Sequence, residues 1–150
     1  MTSALAEPPT TTNRSQQLLD RLRDVVGEEG LLHKAEQLLV YECDGYVVEK
    51  KCPDVVVFPT STEQVVAIVT LCHEYDVPFV PRGAGTSLAG GCLPIGGGVM
   101  IALTRMKRIL EVNYRDRYAI VEPGLVNVHL TPLPLCEFLE STFCSPVRGL

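Results

Sequence analysis

The residues with the most chemistry to offer lie between Phe79 and Cys92, in the run Phe-Val-Pro-Arg-Gly-Ala-Gly-Thr-Ser-Leu-Ala-Gly-Gly-Cys. Phe79, Val80 and Pro81 lead into Arg82, after which Gly83, Gly85, Gly90 and Gly91 punctuate a short loop. Glycine lets the backbone take φ > 0 and lets a ligand come close with no Cβ in the way. Successive N–H groups turned to one side of such a loop form a nest for an anion, usually a phosphate. Thr86 and Ser87 add hydroxyl donors, and Arg82 adds a planar charged fork. The expectation is a loop that cradles a pyrophosphate; the structural alternative is a glycine-rich turn joining two strands. Two other phosphate loops are excluded. A dinucleotide fingerprint wants a glycine three residues after Gly85, where Leu88 stands, and a Walker A loop wants a Gly-Lys-Ser/Thr that is missing here.

No second chemistry competes with the loop. The histidines are His33, His73 and His129, and none sits in a Ser/His/Asp grouping or a His-Glu-x-x-His motif. The six cysteines, Cys43, Cys52, Cys72, Cys92, Cys136 and Cys144, form no Cys-x-x-Cys pair and no metal spacing. They read as reduced thiols in a chain without a signal peptide, which places the protein in the cytoplasm. No catalytic base and no metal ligand can be nominated.

The elements around the loop follow from pattern. Asp54 to Pro59 carries Val55, Val56, Val57 and Phe58 in a row, as in a strand buried on both faces. Thr60 and Glu63 read as a capping box opening a helix from about Ser61 to Tyr75, with Val65, Ile68, Val69 and Cys72 inward. Val77 to Pro81 is the next strand, so strand, helix and strand close a βαβ unit with the loop at its carboxyl end, where open α/β sheets tend to hold ligands. Gly96-Gly97-Gly98 is a flexible connector and Val99 to Leu103 a third strand. Ile109 to Asn113 and Tyr118 to Glu122 form a hairpin across Tyr114-Arg115-Asp116-Arg117.

Upstream, Leu18, Leu19, Leu22, Val25 and Val26 have helical spacing and Gly27 stops that helix. Leu31, Leu32, Ala35, Leu38 and Leu39 fit a second short helix, and Tyr41 to Gly45 a turn. Residues 1–14 read as a disordered polar tail and 15–45 as a helical lead-in. A shift follows Leu130, where Thr131-Pro132-Leu133-Pro134-Leu135 opens a segment, 131–150, with no clear period.

With 150 residues and no tryptophan, the chain supports one domain with an aliphatic core. Its net charge of −5 argues against nucleic acid or an anionic membrane as the main partner. The charge is uneven. Residues 1–78 hold 6 basic and 13 acidic side chains, a net of −7, whereas residues 79–121 hold 6 and 2, a net of +4. The basic segment contains the proposed phosphate loop, although solvated surface charge gives the same count.

Taken in order, these segments resemble the FAD-binding domain of the p-cresol methylhydroxylase (vanillyl-alcohol oxidase) type. Within it they are most similar to the FAD subunit of glycolate oxidase and to FAD-linked D-lactate dehydrogenases. The resemblance is carried by Pro59-Thr60-Ser61-Thr62-Glu63-Gln64-Val65, by Val77 through Thr86, by Ala89-Gly90-Gly91, by Thr104-Arg105-Met106-Lys107-Arg108-Ile109 and by Val121-Glu122-Pro123-Gly124. It covers roughly Tyr41 to Leu130. It implies an α+β fold, the first subdomain of such a domain over residues 46–130: helical lead-in, βαβ unit, then β-hairpin. In that family two subdomains clasp an extended FAD and a separate cap covers the flavin ring, so the chain corresponds to an incomplete, N-terminal portion.

By the same resemblance, Arg82, Gly83, Ala84, Gly85, Thr86, Ser87, Gly90 and Gly91 would hold the FAD pyrophosphate, and Pro123 and Gly124 would form a second cofactor-facing turn. Some relatives link the flavin to a histidine four residues after the arginine. Thr86 stands there, which implies noncovalent FAD. The implied activity is oxidation of 2-hydroxy acids, completed by further subunits or by sequence beyond this segment. A non-catalytic flavin- or nucleotide-binding module acting with a partner chain, and a gene fragment without function, stay open as alternatives.

Overall fold

The computed structural model describes residues 11–129. The reading of residues 131–150 as unlike the family, and most of the expected N-terminal tail, lie outside the described residues. Helix α1 spans Thr11–Val26, so it takes in the last four residues of the segment expected to be disordered. It ends where Gly27, at φ 77°, donates its N–H to the Arg23 carbonyl at 2.8 Å. A left-handed glycine there is the usual way to stop a helix.

Four short strands make the central sheet: β1 (Leu31–Leu32), β2 (Val55–Val57), β3 (Phe79–Arg82) and β4 (Val99–Ala102), in the order β1-β2-β4-β3. β4 runs parallel to both β2 and β3, while β1 pairs antiparallel with β2 through Leu31↔Val57 and Leu32↔Val56. The βαβ unit is therefore β2, helix α3 (Thr62–Glu74) and β3, with β4 inserted between its two strands. The expected helix over 31–40 is corrected. Its first two leucines are β1, and helical backbone is confined to α2 (Ala35–Leu38) and a 3-10 turn over Leu39–Tyr41. The unpaired edge of β2 claimed Leu31 and Leu32, a non-local partner that local spacing does not register.

The sheet is covered on both sides, as the run of valines predicted. Val55, Val57, Val99 and Ile101 pack against Leu18 and Leu22 of α1 and Ile68, Leu71 and Cys72 of α3. The alternate residues Val56, Met100 and Ala102 face Leu38, with Tyr41, Phe58 and Val80 partly buried beside them. Strand side chains alternate faces, so adjacent residues serve separate cores. Leu22 and Ile68 are fully buried, each worth roughly 1.5–3 kcal/mol over exposure.

α1 and α3 run antiparallel. Arg14 donates to the Glu74 carbonyl at 3.4 Å at one end, and Gln64 Nε2 donates to the Val25 carbonyl at 2.9 Å at the other. The cap of α3 sits one residue later than expected. Ser61 Oγ accepts from Gln64 N–H at 3.4 Å, and Gln64 Oε1 accepts from Thr60 N–H at 2.7 Å.

Gly96–Gly98 is not a loose connector. Asp54 accepts from Gly98 N–H at 2.6 Å, Gly97 and Gly98 hold φ 72° and 85°, and a Cβ on Gly98 would run into the Pro78 carbonyl. Finally, β5 (Ile109–Asn113) and β6 (Tyr118–Val121) form the expected hairpin as a separate two-stranded sheet.

Candidate functional site

The glycine loop leaves the carboxyl end of β3, and the strand's alternation decides what lies beneath it. Val80 and Arg82 point to the Tyr41 side of the sheet, while Phe79 and Pro81 are exposed. Arg82 is only 8% exposed. Its Nη1 donates to the Cys43 carbonyl at 2.9 Å and lies 3.5 Å from Cys92 Sγ, and its guanidinium sits 5.6 Å from the centroid of the Tyr41 ring. The fork expected to serve an anion lies beneath the loop. Gly85, at φ 72°, rests on it so closely that an added Cβ would strike the guanidinium.

A second support comes from the turn after the lead-in. Asp44, 5% exposed, accepts from Tyr46 N–H through Oδ1 at 2.8 Å and from Gly90 N–H through Oδ2 at 3.1 Å. The Cys92 thiol lies 3.9 Å from the same Oδ2. A Cβ on Gly45 would come within 2.9 Å of the Ser87 carbonyl and 3.0 Å of that of Thr86. Only glycine lets the loop backbone settle there. The turn expected over Tyr41–Gly45 thus does more than reverse the chain, because it carries the underside of the loop.

The upper side is open. Ala84, Thr86 and Ser87 are exposed, and a Cβ added at Gly83 or Gly91 would meet nothing within 4 Å. Among the described residues the N–H groups of Ala84, Gly85 and Thr86 carry no hydrogen bond. Ser87 Oγ accepts from Ala89 N–H at 3.2 Å, leaving its own hydroxyl proton to donate outward. Gly90 is different, since its N–H is already given to Asp44. Uncommitted donors on a loop with a cation under it are the features an anion nest uses.

The second expected stretch sits at the same end of the sheet. Arg82 and Ala102 are in register on parallel strands, so the loop and the Leu103–Arg105 turn leave one edge together. Gly124 is pinned under that turn: its N–H donates to the Met106 carbonyl at 2.8 Å, and a Cβ would strike the Leu103 carbonyl. Pro123 is exposed beside it. Glu122, 5% exposed, accepts from Arg108 at backbone N (2.7 Å), Nε (2.8 Å) and Nη2 (2.7 Å). These bonds hold its carboxyl below the ordinary value of 4.5.

Nothing else among the described residues rivals this edge. His33 and His73 are exposed, and no cluster of three metal-ligating side chains exists there. Cys43, Cys52, Cys72 and Cys92 are free thiols, and burial pushes that of Cys72 up to about 11. A surface depression of about 270 Å³ is lined by Arg14, Ser15, Tyr75, Asp76 and Val77. It lies before β3 begins, at the opposite end of the strand from the loop. No helix among the described residues is long and apolar enough to cross a membrane.

Residues 53–132 match the family model described as the FAD binding domain. The chain belongs to that family. It is 43% identical over 114 residues to the glycolate oxidase subunit GlcD of Escherichia coli (strain K12), a match covering 76% of this chain and 23% of that one. It is 35% identical over 115 residues to the probable mitochondrial D-lactate dehydrogenase of Danio rerio, covering 77% of this chain and 23% of that one. The solved structure of p-cresol methylhydroxylase superposes with a TM-score of 0.74 at 24% identity, over 88% of this chain and 25% of that one. The fold is therefore that of the p-cresol methylhydroxylase type, and the family is one of FAD-binding oxidoreductases. The chain spans about a quarter of the length of these relatives.

The residues present fit FAD. A diphosphate needs close-approaching donors without side chains in the way, and Gly83 to Ser87 offer that above a buried cation.

Proposed function

We propose that this chain supplies the pyrophosphate-holding wall of a flavoenzyme that oxidises 2-hydroxy acids of the glycolate or D-lactate type. The observation carrying the proposal is the open upper side of the loop, where the N–H groups of Ala84, Gly85 and Thr86 have no internal acceptor. Those groups, with Gly83 N–H and the hydroxyls of Thr86 and Ser87, would hold the phosphate oxygens. Gly91 leaves room beside them, Gly90 fixes the loop's far end, and Pro123 and Gly124 form a neighbouring wall. Residues 46–130 make the flavin-binding portion and 15–45 its lead-in. When bound, FAD supplies the two-electron acceptor for oxidising the hydroxy acid.

Attachment is noncovalent in this reading, because Thr86 stands where a linking histidine would be. A hydroxyl offers no imidazole nitrogen for that bond. The cap, and the groups that hold substrate, come from sequence or subunits beyond the segment described. A cytoplasmic setting belongs to the same reading, supported by the free thiols of Cys43, Cys52, Cys72 and Cys92.

The glycolate oxidase subunit of Escherichia coli provides the test. Its matching segment is replaced by residues 41–130 of this chain, and flavin content and glycolate-dependent dye reduction are measured. A yellow protein that reduces the dye is expected. A folded chimera that purifies without flavin would overturn the proposal.

A further inference from the structure

We propose that Arg82 and Asp44 are positioning residues that set the anion-accepting shape of the glycine loop before FAD arrives. The Arg82 guanidinium does so from beneath, not as a ligand of the pyrophosphate. This rests on the flavin reading above.

The two residues pin opposite ends of one loop to adjacent residues of one turn. At the near end Arg82 Nη1 donates to the Cys43 carbonyl at 2.9 Å, and at the far end Gly90 N–H donates to Asp44 Oδ2 at 3.1 Å. Between those ties the loop backbone has Gly85 against the guanidinium and Thr86 and Ser87 over Gly45. A glycine-rich segment left unpinned would sample many backbone states, and a ligand would have to select one of them at an entropic cost. Fixing the bound shape in advance removes that cost.

Charge makes the two residues a unit. Asp44 alone would place a carboxylate behind a site meant for phosphate, which is unfavourable. Arg82 Nη1 and Asp44 Oδ2 both lie against Cys92 Sγ, at 3.5 and 3.9 Å, so the cation and that anion share one thiol as a neighbour. The Arg82 guanidinium also lies 5.6 Å from the centroid of the Tyr41 ring, and a lysine ammonium on a flexible stem lacks the planar fork that reaches the Cys43 carbonyl from there. Asp44 has both oxygens committed, to Tyr46 N–H and Gly90 N–H. Asparagine has the same size but one acceptor oxygen, so Asp44→Asn must release one of the two.

The experiment uses the whole 150-residue chain, with FAD as the probe. Melting temperature, hydrogen exchange at the Gly90 and Tyr46 amides without ligand, and FAD affinity are compared for wild type, Asp44→Asn, Arg82→Lys and Arg82→Met. Expected for Asp44→Asn is exchange at least about tenfold faster at whichever of the Gly90 and Tyr46 amides loses the oxygen, and FAD binding about tenfold weaker where that amide is Gly90, the scale of one lost charge-assisted hydrogen bond, with melting little changed. Arg82→Lys should lose as much affinity as Arg82→Met, since the fork and its bond to the Cys43 carbonyl matter.

Affinity retained by Arg82→Lys would mean that charge acts directly on the ligand, and the positioning role would fall. Unchanged exchange at both amides in Asp44→Asn, or unchanged FAD affinity with Gly90 exchange raised, would overturn the proposal as well. If the wild-type chain shows no saturable FAD binding at all, the flavin reading fails. The exchange data then still decide whether Asp44 holds the loop.

Discussion

Replacing Gly85 with valine exposes how the loop is built, because two independent penalties meet at that α-carbon. The residue sits at φ 72°, a left-handed conformation that costs an L-residue roughly 1–2 kcal/mol and a β-branched one more. The new Cβ is also directed at the Arg82 guanidinium. Displacing that group breaks its bond to the Cys43 carbonyl, a charge-assisted hydrogen bond worth about 1.5–3 kcal/mol. Gly85→Val should therefore destabilise the chain by about 3–5 kcal/mol. Gly83 is the control: it has no positive φ and nothing within 4 Å of an added Cβ, so Gly83→Val should shift stability by no more than about 0.5 kcal/mol. For FAD the contrast changes character. Gly83→Val should lose affinity while staying folded, since its side chain projects into the open approach. Gly85→Val should lose affinity because the loop's floor has moved. Urea unfolding of both variants, followed by FAD titration, reads out each pair. Equal unfolding midpoints for Gly85→Val and wild type would refute the reasoning about the floor.

Further outcomes can be checked on the same protein. Glu122 has its carboxyl lowered from 4.5 by the hydrogen bonds from Arg108, so its contribution to stability is complete above the ordinary carboxylate range. That contribution is lost as pH falls through the depressed folded value. Glu122→Gln should shallow the acid limb of a stability–pH curve, leaving the part due to Glu63, which the Ser61 side chain lowers in the same sense; an unchanged limb would contradict this. The Cys72 thiol, raised to about 11 by burial, should resist maleimide at pH 8 until the chain unfolds, while exposed Cys52 labels in the folded state; mass mapping that found Cys72 labelled in native protein would go against the packing described. Acid precipitation of the flavin-loaded protein should leave all flavin in the supernatant, and colour in the pellet would exclude noncovalent attachment.

Much of this site was legible because its signals are local. Glycines and small polar residues mark the loop between Arg82 and Gly91, a run of valines marks β2, and the hairpin announces itself by two apolar segments around Tyr114–Arg117. What escaped reading was non-local. Leu31 and Leu32 suit a helix by spacing, yet they pair with Val56 and Val57, a choice made by the open edge of β2. Asp44 meets Gly90 across 46 residues of sequence, and no spacing rule links them. The inward turn of Arg82 did have a sequence signal. Val80 and Arg82 share a face by the two-residue period of a strand, so an arginine two residues after a half-buried valine was placed to point inward. The cap of α3 slipped by one residue because Thr60 and Ser61 are both good capping residues and Gln64 served in place of Glu63.

The central claim is that the open side of the Gly83–Ser87 loop receives the FAD diphosphate, and amide chemical shifts of the isotope-labelled chain on FAD titration test it most directly. A single nest offers a few charge-assisted hydrogen bonds of about 1.5–3 kcal/mol each against an association cost of roughly 4–15 kcal/mol, so binding on the order of micromolar or weaker is expected. The shifts should concentrate at Gly83, Ala84, Gly85, Thr86 and Ser87 and extend to Gly124. ADP should displace FAD, and lumiflavin, which lacks the diphosphate, should not. Shifts centred instead on the depression around Arg14 and Tyr75, or displacement by lumiflavin alone, would contradict the account.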